Sequence, residues 1–202
     1  MPQSQRGRQR DKGVDAQNFR IGTVNLNTLN GKEGQVVETL TRRRIDLCCV
    51  QEIKWRGGHA RRVMGKDSYY KFFWQGDSLG IAGVGIVLAD KWVDKVVRVD
   101  RVSDRIITLE LLIGKTVTTF ISVYAPQSGR SEEEKDSFYD ALRATVAKIA
   151  DKKLVIIAGD LNGHVGRGSE GYEGIHGGRG YGTCNREGIG YWSLEMPQTW
   201  SF

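Results

Sequence analysis

The sequence predicts a mixed α/β domain with sheet packed between helices, and three observations carry that expectation. Two short apolar runs, Asp46–Glu52 around Leu47-Cys48-Cys49-Val50 and Leu154–Ala158, have the length and composition of buried strands. Between them, Ser131–Ala150 places Phe138, Leu142, Val146 and Ile149 at helical spacing behind a Ser131/Glu134 capping box. Arg105–Ile113 and Thr116–Tyr124 read as a hairpin turned at Gly114-Lys115. Strands alternating with helices, with hairpins interposed, are the signature of such a domain.

Taken in order, residues 1–18 read as a flexible basic arm. A strand is expected at Phe19–Asn25, a turn at Asn30-Gly31, and a short helix over Gly34–Arg44 with Val36, Val37 and Leu40 on one side. Arg42, Arg43 and Arg44 close that helix, where cations suit the negative end of its dipole. The Asp46–Glu52 strand follows, then a loop rich in Gly and Arg. Tyr69–Gln75, Val84–Leu88 and Trp92–Val99 read as further strands. The Gly-Lys-Thr at 114–116 is a tight turn and not a phosphate loop, because Leu109 stands where that motif needs its first glycine. From Gly163 to Gly190 the chain holds eleven glycines in twenty-eight residues, too many for regular structure, and this reads as a long loop.

Composition narrows the function classes. The 202 residues suffice for one domain with a full core, and 39% hydrophobic with 27% charged residues fits a globular chain. No apolar run approaches the roughly 20 residues of a membrane helix, and the polar N-terminus has no secretory h-region. An intracellular setting, the nucleus included, and no membrane partner are expected. Arg6, Arg8, Arg10 and Lys12 against Asp11 supply half of the net charge of +6. The arm is either a solvated tail or a phosphate contact, and the body is only mildly basic. Cys48 and Cys49 are adjacent in an apolar run, Cys184 lies among glycines, and no CxxC pair exists, which argues against a structural zinc.

The chemistry is expected where apolar strands deliver polar side chains at their ends. Four clusters do so: Asn25-Leu26-Asn27, Gln51-Glu52, Tyr124-Ala125-Pro126 and Gly159-Asp160-Leu161-Asn162. Each alone has an ordinary explanation, such as a solvated carboxylate for Glu52 or turn chemistry for Asp160 beside glycine. Together they form a set that phosphodiester hydrolysis can use. A hard cation such as Mg²⁺ takes a few oxygen ligands plus waters, and Glu52 and Asn27 offer them. Asp160 can orient or deprotonate an attacking water, Asn162 can hold that water or a phosphate oxygen, and Tyr124 can donate to charge developing on the phosphate.

On these residues, and on the runs Thr28–Gly34, Cys49–Glu52 and Gly159–Gly166, the chain resembles the endonuclease/exonuclease/phosphatase superfamily from roughly Phe19 to Gly188. Within it, the text is most similar to endonuclease domains of RTE-type non-LTR retrotransposons. The resemblance implies a four-layer α/β sandwich with two mixed β-sheets. It implies dependence on Mg²⁺ or Mn²⁺, with Glu52 the principal ligand, Asn25 and Asn27 beside it, and Asp160 and Asn162 also within the metal set. Tyr124, Asp160 and Asn162 match catalytic positions, and Asn25, Tyr124 and Asn185 are expected on the substrate side. The implied partner is DNA, held through its phosphate backbone and nicked. Abasic-site nucleases of this superfamily carry aspartate where Asn27 stands, which argues against abasic-site specificity.

The family's catalytic histidine belongs to a Ser-Asp-His motif that does not follow Asn162, so His59, His164 and His176 are expected to be surface residues. The chain is therefore expected to be C-terminally truncated, stopping roughly 50–80 residues short of a complete domain. Residues 19–188 would form the incomplete domain. Residues 189–202 would be an out-of-frame or non-native tail, since codons chosen for Ile189–Trp200 spell an amphipathic helix start in a shifted frame. Two other function classes stand beside DNA nicking: a non-catalytic remnant with weak nucleic-acid binding, and another phosphoesterase of the superfamily.

Overall fold

The structure, a computed structural model, describes residues 18–149, 153–164, 166–167, 182–184 and 188. The basic arm apart from Asn18, the tail beyond residue 188, and His176 and Asn185 of the glycine-rich stretch lie outside the described residues.

Among the described residues, nine strands and two α-helices make four layers. One sheet has the order β1 (Ile21–Asn25), β2 (Leu47–Gln51), β5 (Val84–Ala89), β4 (Tyr69–Gln75), β3 (Gly58–Met64). The other runs β6 (Val96–Ser103), β7 (Ile106–Ile113), β8 (Thr116–Tyr124), β9 (Leu154–Asp160). Both are mixed: β1 and β2 are parallel, β8 and β9 are parallel, and every other pairing is antiparallel. The fold is the four-layer sandwich that the resemblance implied.

The main core lies between the sheets, where Leu47, Cys49, Ile86 and Leu88 meet Ile107, Leu109, Leu111 and Phe120, all fully buried. Alternation along β2 decides which face each residue serves. Gln51 reaches Ser122 of β8, so Leu47, Cys49 and Gln51 face the second sheet. Cys48 and Val50 turn to the opposite face, covered by α1 (Glu33–Arg43) with Val36, Val37 and Leu40. On the far side of the second sheet, Ile106, Ile121 and Val123 pack against Phe138, Tyr139 and Leu142 of α2 (Glu132–Ala147). The Ser131 hydroxyl accepts the Glu134 backbone N–H, as the capping box predicts.

Several expectations are corrected. Trp92–Val99 is not one strand: Asp90–Lys95 is a 3₁₀ turn and β6 begins at Val96. The turn lets the Trp92 ring sink into the core, where its indole N–H donates to Asp46 Oδ1 at 2.9 Å. The Gly- and Arg-rich loop contains β3, an edge strand whose exposed arginines hide the usual alternation. β9 runs on to Asp160 and is half-exposed instead of buried on both faces, because it pairs on one side only among the described residues. α2 ends at Ala147, and Tyr139 and Thr145 are buried in place of Val146 and Ile149, which are only partly covered.

The adjacent cysteines bear a consequence. Burial pushes both the Cys48 and Cys49 thiols up to about 12 from an ordinary 9.0. A proton held more tightly in the folded state gives stability that is fully present below pH 9 and is lost as pH rises towards 12. Thermal melts are expected to be level to about pH 8.5 and to drop steeply above it, less so in Cys49→Ala. Equal slopes for the variant and the wild type would contradict this account.

Candidate active site

Two parallel strand pairs end at one edge of the sandwich. The register sets Asn25 beside Gln51 at the end of β1/β2, and Tyr124 beside Asp160 at the end of β8/β9. The crevice beyond the carboxyl ends of such strands is where α/β sheets usually hold ligands. Gly159 permits the last step of β9: a Cβ there would run into the Val123 backbone carbonyl.

Asn25 joins the two sheets. Its Nδ2 donates to Glu52 Oε1 at 2.7 Å and to Asp160 Oδ2 at 3.1 Å, while its Oδ1 accepts the Asn27 backbone N–H at 3.0 Å. One amide group thus holds two carboxylates from different layers close together. The other Asp160 oxygen accepts the Asn162 N–H at 3.0 Å, and Asn162 Nδ2 donates to the Ala125 carbonyl at 2.8 Å. Tyr124 is 7% exposed, and its ring lies beside the Glu52 carboxylate. Burial first, then the Glu52 charge, pushes the Tyr124 hydroxyl up to about 12, so it stays a proton donor.

The backbone is bent to make this cluster. Asn27, Glu52, Lys54 and Asn162 all adopt left-handed conformations, with φ between 48° and 59°. Asparagine tolerates that region, but glutamate and lysine do so at a cost of roughly 1–3 kcal/mol each. The loops bearing them are pinned by Leu26 N–H to the Gln51 carbonyl and Leu29 N–H to the Ile53 carbonyl, both at 3.0 Å. Strain that surrounding contacts enforce is a mark of a functional site.

The five expected site residues Asn25, Asn27, Glu52, Asp160 and Asn162 are brought together with Tyr124, and Asn185 lies outside the described residues. His59 and His164 are exposed, as expected of surface residues. Two participants escaped the sequence reading. Lys54 Nζ donates to Asn27 Oδ1 at 3.0 Å, and its position two residues after Glu52 was the available signal. Arg105 lies under the Tyr124 ring, 5.3 Å from its centroid, donates to the Tyr124 carbonyl and pairs with Glu134 at 2.7 Å. Extending the β7/β8 register by one step past Ile106–Val123 would have set Arg105 against Tyr124.

The donors here are oxygens: two carboxylates and the amide oxygens of Asn27 and Asn162. No three His, Cys, Asp or Glu side chains gather at one point among the described residues. A small hard cation that keeps most of its waters needs no more than one or two carboxylates, and this set fits one.

A sequence profile of the Endonuclease/Exonuclease/phosphatase family matches residues 22–195, spanning every element of the site. The chain belongs to that family. Among relatives of this family member, craniofacial development protein 2 of Bos taurus is 29% identical over 169 residues, covering 83% of this chain and 28% of that protein. The same protein of Tragulus javanicus is also 29% identical, over 83% of this chain and 29% of its own length. The chain thus spans less than a third of these relatives. The endonuclease domain of TRAS1, a telomere-specific non-LTR retrotransposon, superposes with a TM-score of 0.58 at 15% identity, covering 87% of this chain and 70% of that domain. The AP endonuclease LMAP from Leishmania major gives 0.55 at 15% identity, over 72% and 56%. These superpositions establish the shared fold. No helix among the described residues is long and apolar enough to cross a membrane.

Proposed function

We propose that this chain carries a divalent-metal-dependent phosphodiesterase centre of the DNA-nicking type, related to retroelement endonucleases. The observation that carries the reading is the Asn25 amide holding Glu52 and Asp160 together beside a protonated Tyr124. The TRAS1 and AP endonuclease likenesses favour DNA over other phosphodiesters.

Glu52, with the amide oxygens of Asn27 and Asn162 and the Asp160 carboxylate, would hold Mg²⁺ or Mn²⁺, which when bound supplies positive charge against the phosphate. Asn25 is better cast as a positioning and substrate-side donor than as a ligand, because its NH₂ faces both carboxylates; the Asn27 oxygen would have to leave Lys54 to reach the ion. Asp160, fixed at one oxygen by Asn162 N–H, orients the attacking water and accepts its proton. Tyr124 turns its hydroxyl to a phosphate oxygen, and Arg105 beneath the ring keeps it in place.

Supercoiled plasmid incubated with the purified chain is expected to become open circle with Mg²⁺ or Mn²⁺ and to stay supercoiled in EDTA. Tyr124→Phe should slow nicking by roughly 10²-fold, the usual cost of one donor to developing charge. A folded, soluble wild-type chain that leaves the plasmid supercoiled with either metal would replace this reading with nucleic-acid binding without hydrolysis.

A further inference from the structure

A second feature opens from the same edge. The chain leaving Glu52 passes through Lys54, whose ammonium touches Asn27, and then presents Trp55 and Arg56. These two line a groove of about 430 Å³ with Trp74 of β4, Arg61 of β3 and Glu33 of α1. Trp55 and Trp74 meet edge to face at 4.8 Å, and the Arg61 guanidinium carbon lies 4.5 Å from the Trp55 ring centroid. The Trp74 indole N–H donates to the Arg56 carbonyl, and Arg61 pairs with Glu33 at 2.7 Å. Lys54, Arg56 and Arg61 against Glu33 leave the lining with a net charge of +2.

Cations alone suffice to grip a duplex backbone, whose bases are stacked out of reach. Two indoles and a guanidinium in one open groove add something a paired base cannot use: π-faces and a cation against which an unpaired base stacks. Lys54 belongs to both the groove and the carboxylate cluster, so a strand with its phosphate beside Glu52 leads into the groove at the next nucleotides.

We propose that this groove is a subsite for an unpaired nucleotide flanking the phosphodiester, with the base on Trp55, Trp74 and Arg61 and its phosphate on Lys54 and Arg56. The preferred substrate is then DNA with a single-stranded segment beside the cut. This rests on the phosphodiesterase reading given above.

The test measures binding of the full chain in EDTA, where no cleavage occurs, by fluorescence anisotropy. A blunt duplex is compared with the same duplex carrying a short oligo-dT overhang of either polarity. The overhang is expected to bind on the order of ten-fold more tightly per stacked base, with quenching of tryptophan emission. Trp55→Ala and Arg61→Ala should each abolish most of that preference, read as the ratio of overhang to blunt-duplex affinity, and Trp55→Phe should restore part of it. Because Trp55 also packs 6.3 Å from Phe72, Arg61→Ala decides the matter if Trp55→Ala fails to fold. Equal affinity of the wild type for both DNAs, or a preference that survives Arg61→Ala, overturns the subsite. A wild type that prefers the overhang but nicks with neither Mg²⁺ nor Mn²⁺ keeps the subsite and refutes the catalytic reading. Nicking without the preference does the reverse.

Discussion

Asp160→Ala and Glu52→Ala are each expected to slow plasmid nicking by at least about 10³-fold, the scale on which single members of a catalytic unit act. The two losses should not add when combined, because both carboxylates serve one centre through the single Asn25 amide. Stability should move the other way at Glu52. That residue sits at φ 52°, so it carries backbone strain. Glu52→Gly is expected to melt higher than wild type by about 1 kcal/mol while being inactive. Plasmid assays and thermal melts on the same preparations check both halves. A Glu52→Gly protein that is less stable than wild type would show that the conformation is not strained.

Asp46→Ala is expected to be strongly destabilising, costing about 3 kcal/mol. Asp46 is 4% exposed and stands at the start of β2. Its Oδ2 accepts the Arg20 backbone N–H at 2.9 Å, and its Oδ1 accepts the Trp92 indole N–H at 2.9 Å and the Lys91 ammonium at 2.6 Å. Alanine would strand the two N–H donors, and the indole lies in the core. Lys91 is largely exposed and rehydrates, which keeps the cost at the lower end for a broken buried pair. Burial alone would raise the Asp46 carboxyl, but Lys91, the Arg20 N–H and the Trp92 N–H outweigh it and hold it below its ordinary 3.8. A depressed carboxylate adds stability above that value which is lost as pH falls below it. The gap between wild type and Asp46→Asn should therefore narrow on going from neutral to strongly acidic pH, as measured by urea unfolding. A gap that does not change with pH would contradict it.

Much of this was legible in the chain. Strands with a continuous apolar run, such as Leu47-Cys48-Cys49-Val50, announce themselves because both faces are buried, by α1 on one side and the second sheet on the other. The polar residues at their ends were readable for the same reason: a change from apolar to Asn, Glu or Asp marks where burial stops. What stayed hidden depended on partners distant in sequence. β3 carries Arg61 and Arg62, which bond Glu33 and Asp90 across the surface, so it shows no apolar period. The 3₁₀ turn at Asp90–Lys95 is set by the need to bury Trp92 against Asp46, forty-six residues upstream. Lys54 and Arg105 were ordinary surface cations until the loops and the hairpin register set them against Asn27 and Tyr124. Nor does any local pattern in the sequence show that a single asparagine, Asn25, links carboxylates 27 and 135 residues away.

The central claim is that the strand-end oxygens around Glu52 hold a divalent cation, and direct binding tests it most plainly. Mn²⁺ titrated into the wild-type chain and into Glu52→Gln, followed by loss of the free-ion electron paramagnetic resonance signal, needs no DNA and no turnover. A saturable site is expected in the wild type, weakened by at least about ten-fold in Glu52→Gln, with the fold intact. Mn²⁺ bound equally well by both proteins, or by neither, would contradict it.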